Sequence, residues 1–267
     1  MKEYKFNISI TEKCNLRCPH CYTRNKQGSL TMGEVRTIIR NLEDGLTRVK
    51  IEGGEPYSER ELFYYTIQQF RQRFPEAEIR ANSNGVAFYK NRDTIIQEAD
   101  KLYSLGVRRL RISLDKFHED GGADLEKVAS IQPILEEIKH PLDVKYMSLT
   151  QALAVGTAED LPEEQKERRN CMNHPGCLDN PYFFTDIKGN LYTCCWRLIP
   201  PIGNLLQSRL GELYDNMNEM QRKLLSGDVR FLATDSHLLK VAEDLGECML
   251  CKEVFRSCRE DEQGTIF

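Results

Sequence analysis

One short stretch constrains this chain more than any other. The nine residues from Cys14 to Tyr22 hold three cysteines, Cys14, Cys18 and Cys21, in the spacing C-x-x-x-C-x-x-C. They directly follow an alternating apolar run over residues 6–10, which predicts a first β-strand. Three thiolates on one tight loop can hold three irons of a cubane cluster and leave the fourth iron without a protein ligand. The stretch therefore predicts a metal centre with an open coordination position.

Zinc is an alternative occupant of this loop. Zn²⁺ accepts mixed nitrogen and sulfur ligands in a tetrahedron, and His20 lies between the second and third cysteines. Structural zinc sites, however, usually assemble from two separated pairs of ligands. The spacing therefore favours an iron–sulfur cluster.

Length and composition exclude several classes of protein. The chain of 267 residues is long enough for one large domain and a smaller appendage. Its net charge of −4 gives no electrostatic case for nucleic acid, which normally selects a basic face. The sequence has no signal-peptide pattern and no run of about 18 apolar residues, so we expect a cytoplasmic protein with no membrane partner.

The ten cysteines point to metal rather than to disulfides. Seven of them lie from Cys171 onward, and five disulfides are not expected in a reducing compartment. Iron–sulfur clusters that are open to solvent also imply an oxygen-poor setting.

Strand and helix patterns alternate five times over the first 150 residues. Capping boxes at Thr31–Glu34 and Ser58–Glu61 predict the starts of two helices. Pro133 predicts a kink or a division in a helix over residues 125–138. Apolar residues predict four strands after the first, at Val49 and Ile51, Ile79 and Ala81, Leu110 to Leu114, and Val144 and Tyr146.

This alternation predicts an α/β fold. Parallel strands joined by right-handed crossovers would form a partial (β/α)5–6 TIM-like barrel over residues 1–150, too short to close into eight units. A connection follows over residues 151–170, and a small cysteine-rich region occupies 171–267. In that region two strand-like runs flank Lys188-Gly189-Asn190 and predict a β-hairpin over 181–196, and apolar spacing over 210–224 predicts one helix.

Each loop of chemical interest follows a predicted strand. These loops run from Cys14 to Cys21, from Gly53 to Pro56, from Asn82 to Gly85 and from Ser113 to His118. Because the carboxyl ends of parallel strands meet at one mouth, we expect the four loops to share a site.

The cysteine loop resembles that of the radical S-adenosylmethionine (SAM) enzymes. The resemblance implies a [4Fe-4S] cluster on Cys14, Cys18 and Cys21, whose open iron binds the amino and carboxylate groups of SAM. It also implies that Tyr22 lies near the adenine. Further SAM contacts are implied for the glycine-rich element Gly53, Gly54, Glu55 and Pro56, for Asn82 and Ser83, and for Ser113 and Asp115.

Ordinary structural roles are open for several of these residues. Two glycines let a chain approach a ligand closely, but Gly53 and Gly54 also suit a plain strand-to-helix turn. Ser113 and Asp115 share one face of a strand end, where they either contact SAM or face water. His118 is a candidate substrate contact or a solvent-facing loop histidine. The basic run Arg108, Arg109 and Arg111 is expected to face water or to pair locally, without a function.

The cysteines of the second half resemble the auxiliary-cluster region called SPASM, or its short form, twitch. The resemblance implies one auxiliary [4Fe-4S] cluster with four cysteine ligands, because a full SPASM region needs more cysteines after Cys258. The implied ligands are Cys177, Cys194, Cys248 and Cys251.

The ligand set has open alternatives. The spacing from Cys171 to Cys177 also resembles the start of a full SPASM region, and Cys258 can replace one member of the C-x-x-C pair. Zinc on four of these sulfurs is a further alternative. Cys195 is a candidate hydrogen-atom donor to a substrate radical, or else a buried apolar cysteine.

The resemblance implies a function. Reductive cleavage of SAM would give a 5′-deoxyadenosyl radical that abstracts hydrogen from a substrate carbon, with a flavodoxin- or ferredoxin-type protein as electron donor. The layout looks like that of the twitch dehydrogenase acting on an aminocyclitol, so we expect oxidation or epimerisation of a small-molecule or natural-product intermediate. A peptide maturase of the SPASM type is the alternative. A non-catalytic zinc or iron–sulfur protein is the alternative of another class.

Overall fold

The computed structural model describes residues 3–22, 27–167, 181–194, 197–226, 229–245 and 247–255. Within these ranges eight strands join into one sheet. In chain order the strands are β1 Tyr4–Ser9, β2 Leu46–Glu52, β3 Glu78–Ser83, β4 Val107–Ser113, β5 Asp143–Met147, β6 Tyr182–Thr185, β7 Asn190–Tyr192 and β8 Gly203–Asn204.

Helices connect the strands and continue beyond the last of them. No helix in the described ranges is long and apolar enough to cross a membrane. The α-helices are α1 Met32–Arg40, α2 Arg60–Arg73, α3 Arg92–Ser104, α4 Lys116–Asp120, α5 Leu125–Ala129, α6 Ile131–Glu137, α7 Leu210–Asp215, α8 Glu219–Leu225, α9 Ser236–Leu245 and α10 Glu247–Val254. Short 3₁₀ turns occupy Pro56–Glu59, Gly156–Asp160, Glu163–Gln165 and Arg230–Leu232.

The sheet is open and mostly parallel. Its strand order is β5-β4-β3-β2-β1-β6-β7-β8, and every pairing from β5 through to β6 is parallel. The pairs β6–β7 and β7–β8 are antiparallel. The predicted α/β class with an unclosed, barrel-like parallel sheet is therefore confirmed.

The two faces of the sheet differ in chemistry. One face carries residues such as Phe6, Ile51 and Leu110, which are fully buried in the main hydrophobic core together with apolar residues of α1, α2 and α3. We call the opposite face the barrel face. Because side chains alternate along a strand, the intervening positions such as Asn7, Lys50 and Arg111 lie on it.

Local capping signals were partly right. The box at Thr31 and Glu34 forms as predicted, with the Thr31 N–H donating to Glu34 Oε2 at 2.7 Å and Glu34 N–H donating to Thr31 Oγ1 at 3.2 Å. The box predicted at Ser58–Glu61 is wrong. The Glu55 carboxylate accepts from Tyr57 N–H, which starts a 3₁₀ turn over Pro56–Glu59 before α2 begins.

Two predicted long helices are divided. The division predicted for the helix over 125–138 is present: the helix breaks into α5 and α6 at Ser130, and Pro133 lies in the first turn of α6, where its missing N–H has no role. The single helix predicted over 210–224 was wrong. The Asn218 side chain accepts from Gln221 N–H at 2.8 Å and starts α8 as a new helix after α7.

The predicted hairpin is present, and it does more than expected. Strands β6 and β7 pair on either side of the 187–189 turn, while Trp196 lies outside the described residues. The sequence did not indicate that β6 would pair in parallel with β1, or that the two-residue strand β8 would follow. The boundaries at 1–150, 151–170 and 171–267 stay a prediction, although β6 continues the sheet of the first region.

The packing of β6 can be tested at Phe183. This side chain is fully buried, and its ring centroid lies 6.3 Å from the rings of Tyr4 and Tyr214. Phe183→Ala should lower the free energy of unfolding by about 3–5 kcal/mol. Leu239→Ala, at a side chain that is 50% exposed, should lower it by less than about 0.5 kcal/mol. Denaturant unfolding followed by circular dichroism measures both, and equal small losses would contradict this packing.

Candidate active site

The four strand-end loops meet at one cavity of about 420 Å³. The structure therefore brings together residues of these loops that are up to 104 positions apart, from Cys14 to His118. The residues predicted as site residues that line it are Cys14, Cys18, Cys21, Tyr22, Gly53, Gly54, Pro56, Asn82, Ser83, Ser113 and Asp115. His118 lines it as well.

The two glycines allow two loops to touch. A Cβ atom at Gly53 would collide with the backbone of Thr11, and one at Gly54 would collide with the backbone of Glu12 and Lys13. The Gly54 N–H donates to Thr11 O at 2.7 Å, and the next N–H donates to Lys13 O at 2.8 Å. The requirement for glycine thus comes first from the chain that leads into the cysteine loop, a reason that the sequence did not indicate.

Glu55 is a buried link between the second and third loops. Its carboxylate accepts from Asn84 N–H at 2.7 Å, from Ser83 Oγ at 2.9 Å and from Tyr57 N–H at 3.2 Å. Burial raises the pKa of Glu55 to about 7, although these hydrogen bonds favour the ionised form. Glu55 therefore positions the loops around the cavity.

Asn84 extends this link to the cysteine loop. Its side-chain amide donates to Asn15 Oδ1 at 2.8 Å and lies 3.9 Å from Cys14 Sγ. The Cys14 sulfur also accepts from Leu16 N–H at 3.4 Å. Donors aimed at a sulfur stabilise a thiolate, so these contacts suit a metal-binding cysteine.

Two segments that sequence reasoning missed hold the other cysteines. A Cβ atom at Gly121 would lie 2.6 Å from Cys18 Sγ, so only glycine leaves room for this sulfur. Thr157 donates to Cys21 O from both its N–H and its hydroxyl, each at 2.8 Å. Gly156, with a φ of +67°, lets the chain turn against the same carbonyl. Glycines after predicted strands were the available signal for Gly121 and Gly156.

Asp115 forms hydrogen bonds that fix the position of the His118 ring. Its carboxylate accepts from His118 N–H at 3.0 Å and lies 2.7 Å from Nδ1 of the same residue. Burial alone would raise the pKa of Asp115, but the hydrogen bonds and charge of His118 outweigh it and lower the pKa. With Nδ1 occupied, Nε2 is the ring nitrogen left for another partner.

A group of potential metal ligands lies beside this pair. Ligand atoms of Cys18, His20 and His118 are within 4.8 Å of one another. The His20 ring also stacks on Phe117, with centroids 4.8 Å apart. The zinc alternative from the sequence included His20, and the structure adds His118 to the groups within reach.

The C-terminal cysteines pack near Tyr22. Cys248 and Cys251 are buried on one face of α10, in a second apolar core against which Cys194 and Tyr22 also pack. Three of the four predicted auxiliary ligands thus belong to one cluster of side chains. The remaining cysteines of interest lie outside the described residues, namely Cys171, Cys177, Cys195 and Cys258.

Arg197 joins this region to the barrel and was also missed. Its Nη2 donates to Ser9 Oγ at 2.8 Å, Nη1 lies 3.5 Å from Glu12 Oε1, and the guanidinium lies 5.7 Å from the centre of the Tyr22 ring. Its backbone N–H donates to Cys194 O at 3.1 Å. Its φ of +53° is uncommon for a residue other than glycine, which indicates that these contacts hold the Arg197 backbone in this conformation.

Comparison with known families decides the class of this chain. The family model described as the radical SAM superfamily matches residues 8–168. The chain belongs to the radical SAM superfamily. Members of this superfamily are enzymes that use SAM and a [4Fe-4S] cluster, so the expected family is confirmed.

Curated relatives within the superfamily are distant. GTP 3′,8-cyclase of Campylobacter lari is 24% identical over 196 residues, covering 68% of this chain and 58% of the relative. Probable GTP 3′,8-cyclase of Methanocaldococcus jannaschii is 27% identical over 223 residues, covering 81% and 70%. The chain spans 42% of the GTP 3′,8-cyclase of Alkaliphilus metalliredigens, so it matches only part of the length of several relatives.

Solved radical SAM structures share the fold. BtrN in complex with AdoMet and 2-DOIA has a TM-score of 0.60 at 15% identity, covering 94% of this chain and 92% of that chain. Native anSMEcpe with bound AdoMet and Cp18Cys peptide has a TM-score of 0.56 at 11% identity, with 97% of each chain covered. At these identities the likeness shows the fold alone.

The space beside Cys18 gives one prediction. Gly121→Ala should displace the Cys18 sulfur and lower the iron bound after anaerobic reconstitution by up to about four atoms per chain. Gly33→Ala is the matched control, because its new Cβ would lie 3.7 Å from Thr31 Oγ1 in ordinary contact. Iron and sulfide analysis measures the result. Full iron content in Gly121→Ala would contradict this role for Gly121.

The buried Glu55 gives a prediction on pH. Because the pKa of Glu55 is raised, the folded chain binds the Glu55 proton more tightly than the unfolded chain does. The protonated carboxyl group therefore contributes to stability below pH 4.5, and this contribution is lost as the pH rises through about 7. The loss is about 3 kcal/mol at most. In Glu55→Gln this component of the pH dependence should be absent, whereas Glu61→Gln, at an exposed side chain, should retain it. Anaerobic denaturation between pH 5 and 8 measures it, and parallel curves for all three proteins would contradict the prediction.

Proposed function

We propose that this chain cleaves SAM reductively and uses the resulting 5′-deoxyadenosyl radical to take a hydrogen atom from a carbon of its substrate. The observation that supports this is the placement of Cys14, Cys18 and Cys21 around one cavity with the glycine-rich loop. Membership of the radical SAM superfamily supports the same chemistry.

The cysteine loop suits a [4Fe-4S] cluster. Cys14, Cys18 and Cys21 would hold three irons, with donors from Leu16 and Asn84 near the Cys14 sulfur and space beside the Cys18 sulfur. When bound together, cluster and SAM supply the electron transfer that generates the radical. The protein orients the reactants and excludes water from the cavity.

Other residues of the cavity have separate proposed roles. The Gly53–Gly54 backbone, with Pro56 beside it, would accept from the SAM amino group, and Tyr22 would lie against the adenine. Asn82, Ser83 and Ser113 would contact the ribose or methionine part of SAM. The carboxylates of Glu55 and Asp115 would form hydrogen bonds within the protein, Glu55 with the third loop and Asp115 with His118. His118, positioned in this way, is a candidate substrate contact.

An auxiliary [4Fe-4S] cluster of the SPASM or twitch type is proposed on Cys177, Cys194, Cys248 and Cys251. The shared apolar core of the last three supports it, as does their nearness to Tyr22. Such a cluster would take an electron from a product radical in a net oxidation, or would anchor the substrate. Cys195 is proposed as a hydrogen-atom donor if the reaction is an epimerisation.

The proposed substrate is a small-molecule or natural-product intermediate. The likeness to BtrN with bound AdoMet and 2-DOIA over most of both chains supports it. Two alternatives have their own support: a peptide, from the likeness to anSMEcpe with its bound peptide, and GTP, from the names of the curated relatives. We propose a cytoplasmic setting with a flavodoxin- or ferredoxin-type electron donor.

The proposal predicts a specific pattern of iron and product. Anaerobic reconstitution should give about eight irons per chain, and reduction in the presence of SAM should release 5′-deoxyadenosine. Cys18→Ala should lose about four irons and all 5′-deoxyadenosine. Cys251→Ala should lose about four irons while SAM cleavage persists. Iron analysis and mass spectrometry measure these outcomes.

Other outcomes separate the alternatives. Two zinc ions per chain and no SAM cleavage would contradict the proposal and favour a zinc-binding protein. About four irons with full SAM cleavage would contradict only the auxiliary cluster. Consumption of GTP, of a peptide or of an aminocyclitol in the same assay would identify the substrate class.

A further inference from the structure

The barrel face carries more positive than negative charge. Polar and charged side chains occupy the positions where a closed barrel would pack apolar layers. Cations at these positions outnumber carboxylates by seven to three. The cations are Lys5, Arg48, Lys50, Arg80, Arg109, Arg111 and Lys145, and the carboxylates are Glu52, Glu78 and Asp143.

The register of the strands places these cations side by side. Lys50 on β2 pairs in register with Arg80 on β3, which pairs with Arg109 on β4. One step nearer the cavity, Arg111 on β4 pairs with Lys145 on β5. Like charges directly opposite each other on neighbouring strands are destabilising, so this arrangement costs stability unless negative charge lies over it.

The protein supplies only part of that negative charge. Each of the three carboxylates already forms an ion pair with a neighbouring cation. Glu52 lies 2.7 Å from Lys50, and Glu78 lies 2.6 Å from Arg80. Asp143 pairs with both Arg109 and Lys145. Within the part of the chain that the structure describes, Arg111 and Arg48 have no carboxylate at ion-pair distance.

Buried polar atoms on the same face also lack partners. They are Asn7 Oδ1, Arg48 Nε, Arg80 Nε and Asn82 Oδ1, none of which has a hydrogen-bond partner among the described residues. Buried polar groups are normally hydrogen-bonded, so such atoms call for an explanation. The guanidinium donors among them match an anionic ligand.

The position of Arg111 relates this charge to the active site. Arg111 precedes Ser113 by two residues on β4, about 7 Å along the strand. Ser113 lines the cavity together with the three cysteines, and Lys50 and Asn82 line it as well. An anion held at Arg111 would therefore lie just beneath the cavity in which the radical forms.

We infer that the barrel face around Arg111, Arg80 and Lys50 binds an anionic group of the substrate, a phosphate or a carboxylate. This rests on the proposed radical SAM function, because it names the class of substrate that reacts in the same cavity. The bound anion offsets the aligned cations and fixes the distance of the substrate from SAM. Arg111, expected from sequence to have no function, thus acquires one, whereas Arg109 pairs locally with Asp143.

Binding experiments can separate the sources of the anion. The reconstituted enzyme, saturated with SAM, is titrated with inorganic pyrophosphate and, separately, with succinate, and isothermal titration calorimetry gives each dissociation constant. Saturating SAM occupies the site for its own carboxylate. Binding of pyrophosphate alone identifies a phosphate, and binding of succinate alone identifies a carboxylate.

Variants assign the binding to the barrel face. Arg111→Gln should weaken binding of the probe by about tenfold or more, since hydrogen bonds to charged groups contribute strongly. Arg111→Lys, which keeps the charge, should weaken it less. Arg108→Gln is the matched control on the same strand, because the Arg108 side chain is exposed and donates to Tyr103 O at 3.1 Å. It should change the dissociation constant by less than about twofold.

Three results would overturn the inference: no saturable binding of either probe to the unmodified enzyme, equal weakening in Arg108→Gln and Arg111→Gln, or weakening of SAM binding by Arg111→Gln as large as that of the probe. The last result would assign Arg111 to the SAM carboxylate. Release of 5′-deoxyadenosine by the unmodified enzyme tests the proposed function separately, so SAM cleavage without anion binding rejects this inference alone.

Discussion

The main-chain contact between the first two strand-end loops is the constraint on which the site depends. Gly54 N–H and Glu55 N–H donate to Thr11 O and Lys13 O, and the absence of a Cβ atom at Gly53 and Gly54 lets the two backbones approach. Strands β1 and β2 pair in parallel from Lys5 opposite Arg48 to Ser9 opposite Glu52. The contact between the two loops therefore continues the pairing beyond the ends of these strands. The thiols of the cysteine loop are thereby positioned by the sheet.

A buried carboxylate carries the same positioning to the third loop. Glu55 receives three hydrogen bonds and has no ion pair within the described residues, so its pKa is raised by burial and its charge depends on pH near neutrality. Asn84, held by Glu55, reaches Asn15 and Cys14. A chain of short contacts thus runs from β2 through β3 to the first sulfur.

Several contacts bind the C-terminal region to the barrel, and two of them lie close to the cysteines. Strand β6 extends the parallel sheet beside β1, and Arg197 reaches Ser9 and the Tyr22 ring from the chain that follows Cys194. Tyr22 packs against the apolar core that contains Cys248 and Cys251. Any cluster on those cysteines would therefore lie next to the residue that follows the first cysteine loop, an arrangement that suits electron exchange with the cavity.

The sequence by itself determined the family, the α/β class and the loops that meet at the cavity, because thiol spacing and apolar periodicity are local properties of the chain. Through Pro133 it also indicated that the helix over 125–138 would be divided, but it did not indicate the division at Asn216–Asn218, where the side-chain cap at Asn218 starts a new helix despite the apolar periodicity. Only the tertiary structure decided the roles of Gly121, Thr157 and Arg197. Gly121 contacts Cys18, Thr157 contacts Cys21 and Arg197 contacts Ser9, and each of these partners is more than 100 positions away in the sequence. The excess of positive charge on the barrel face could likewise not be predicted from the sequence, because it arises only when strands from five parts of the chain align side by side.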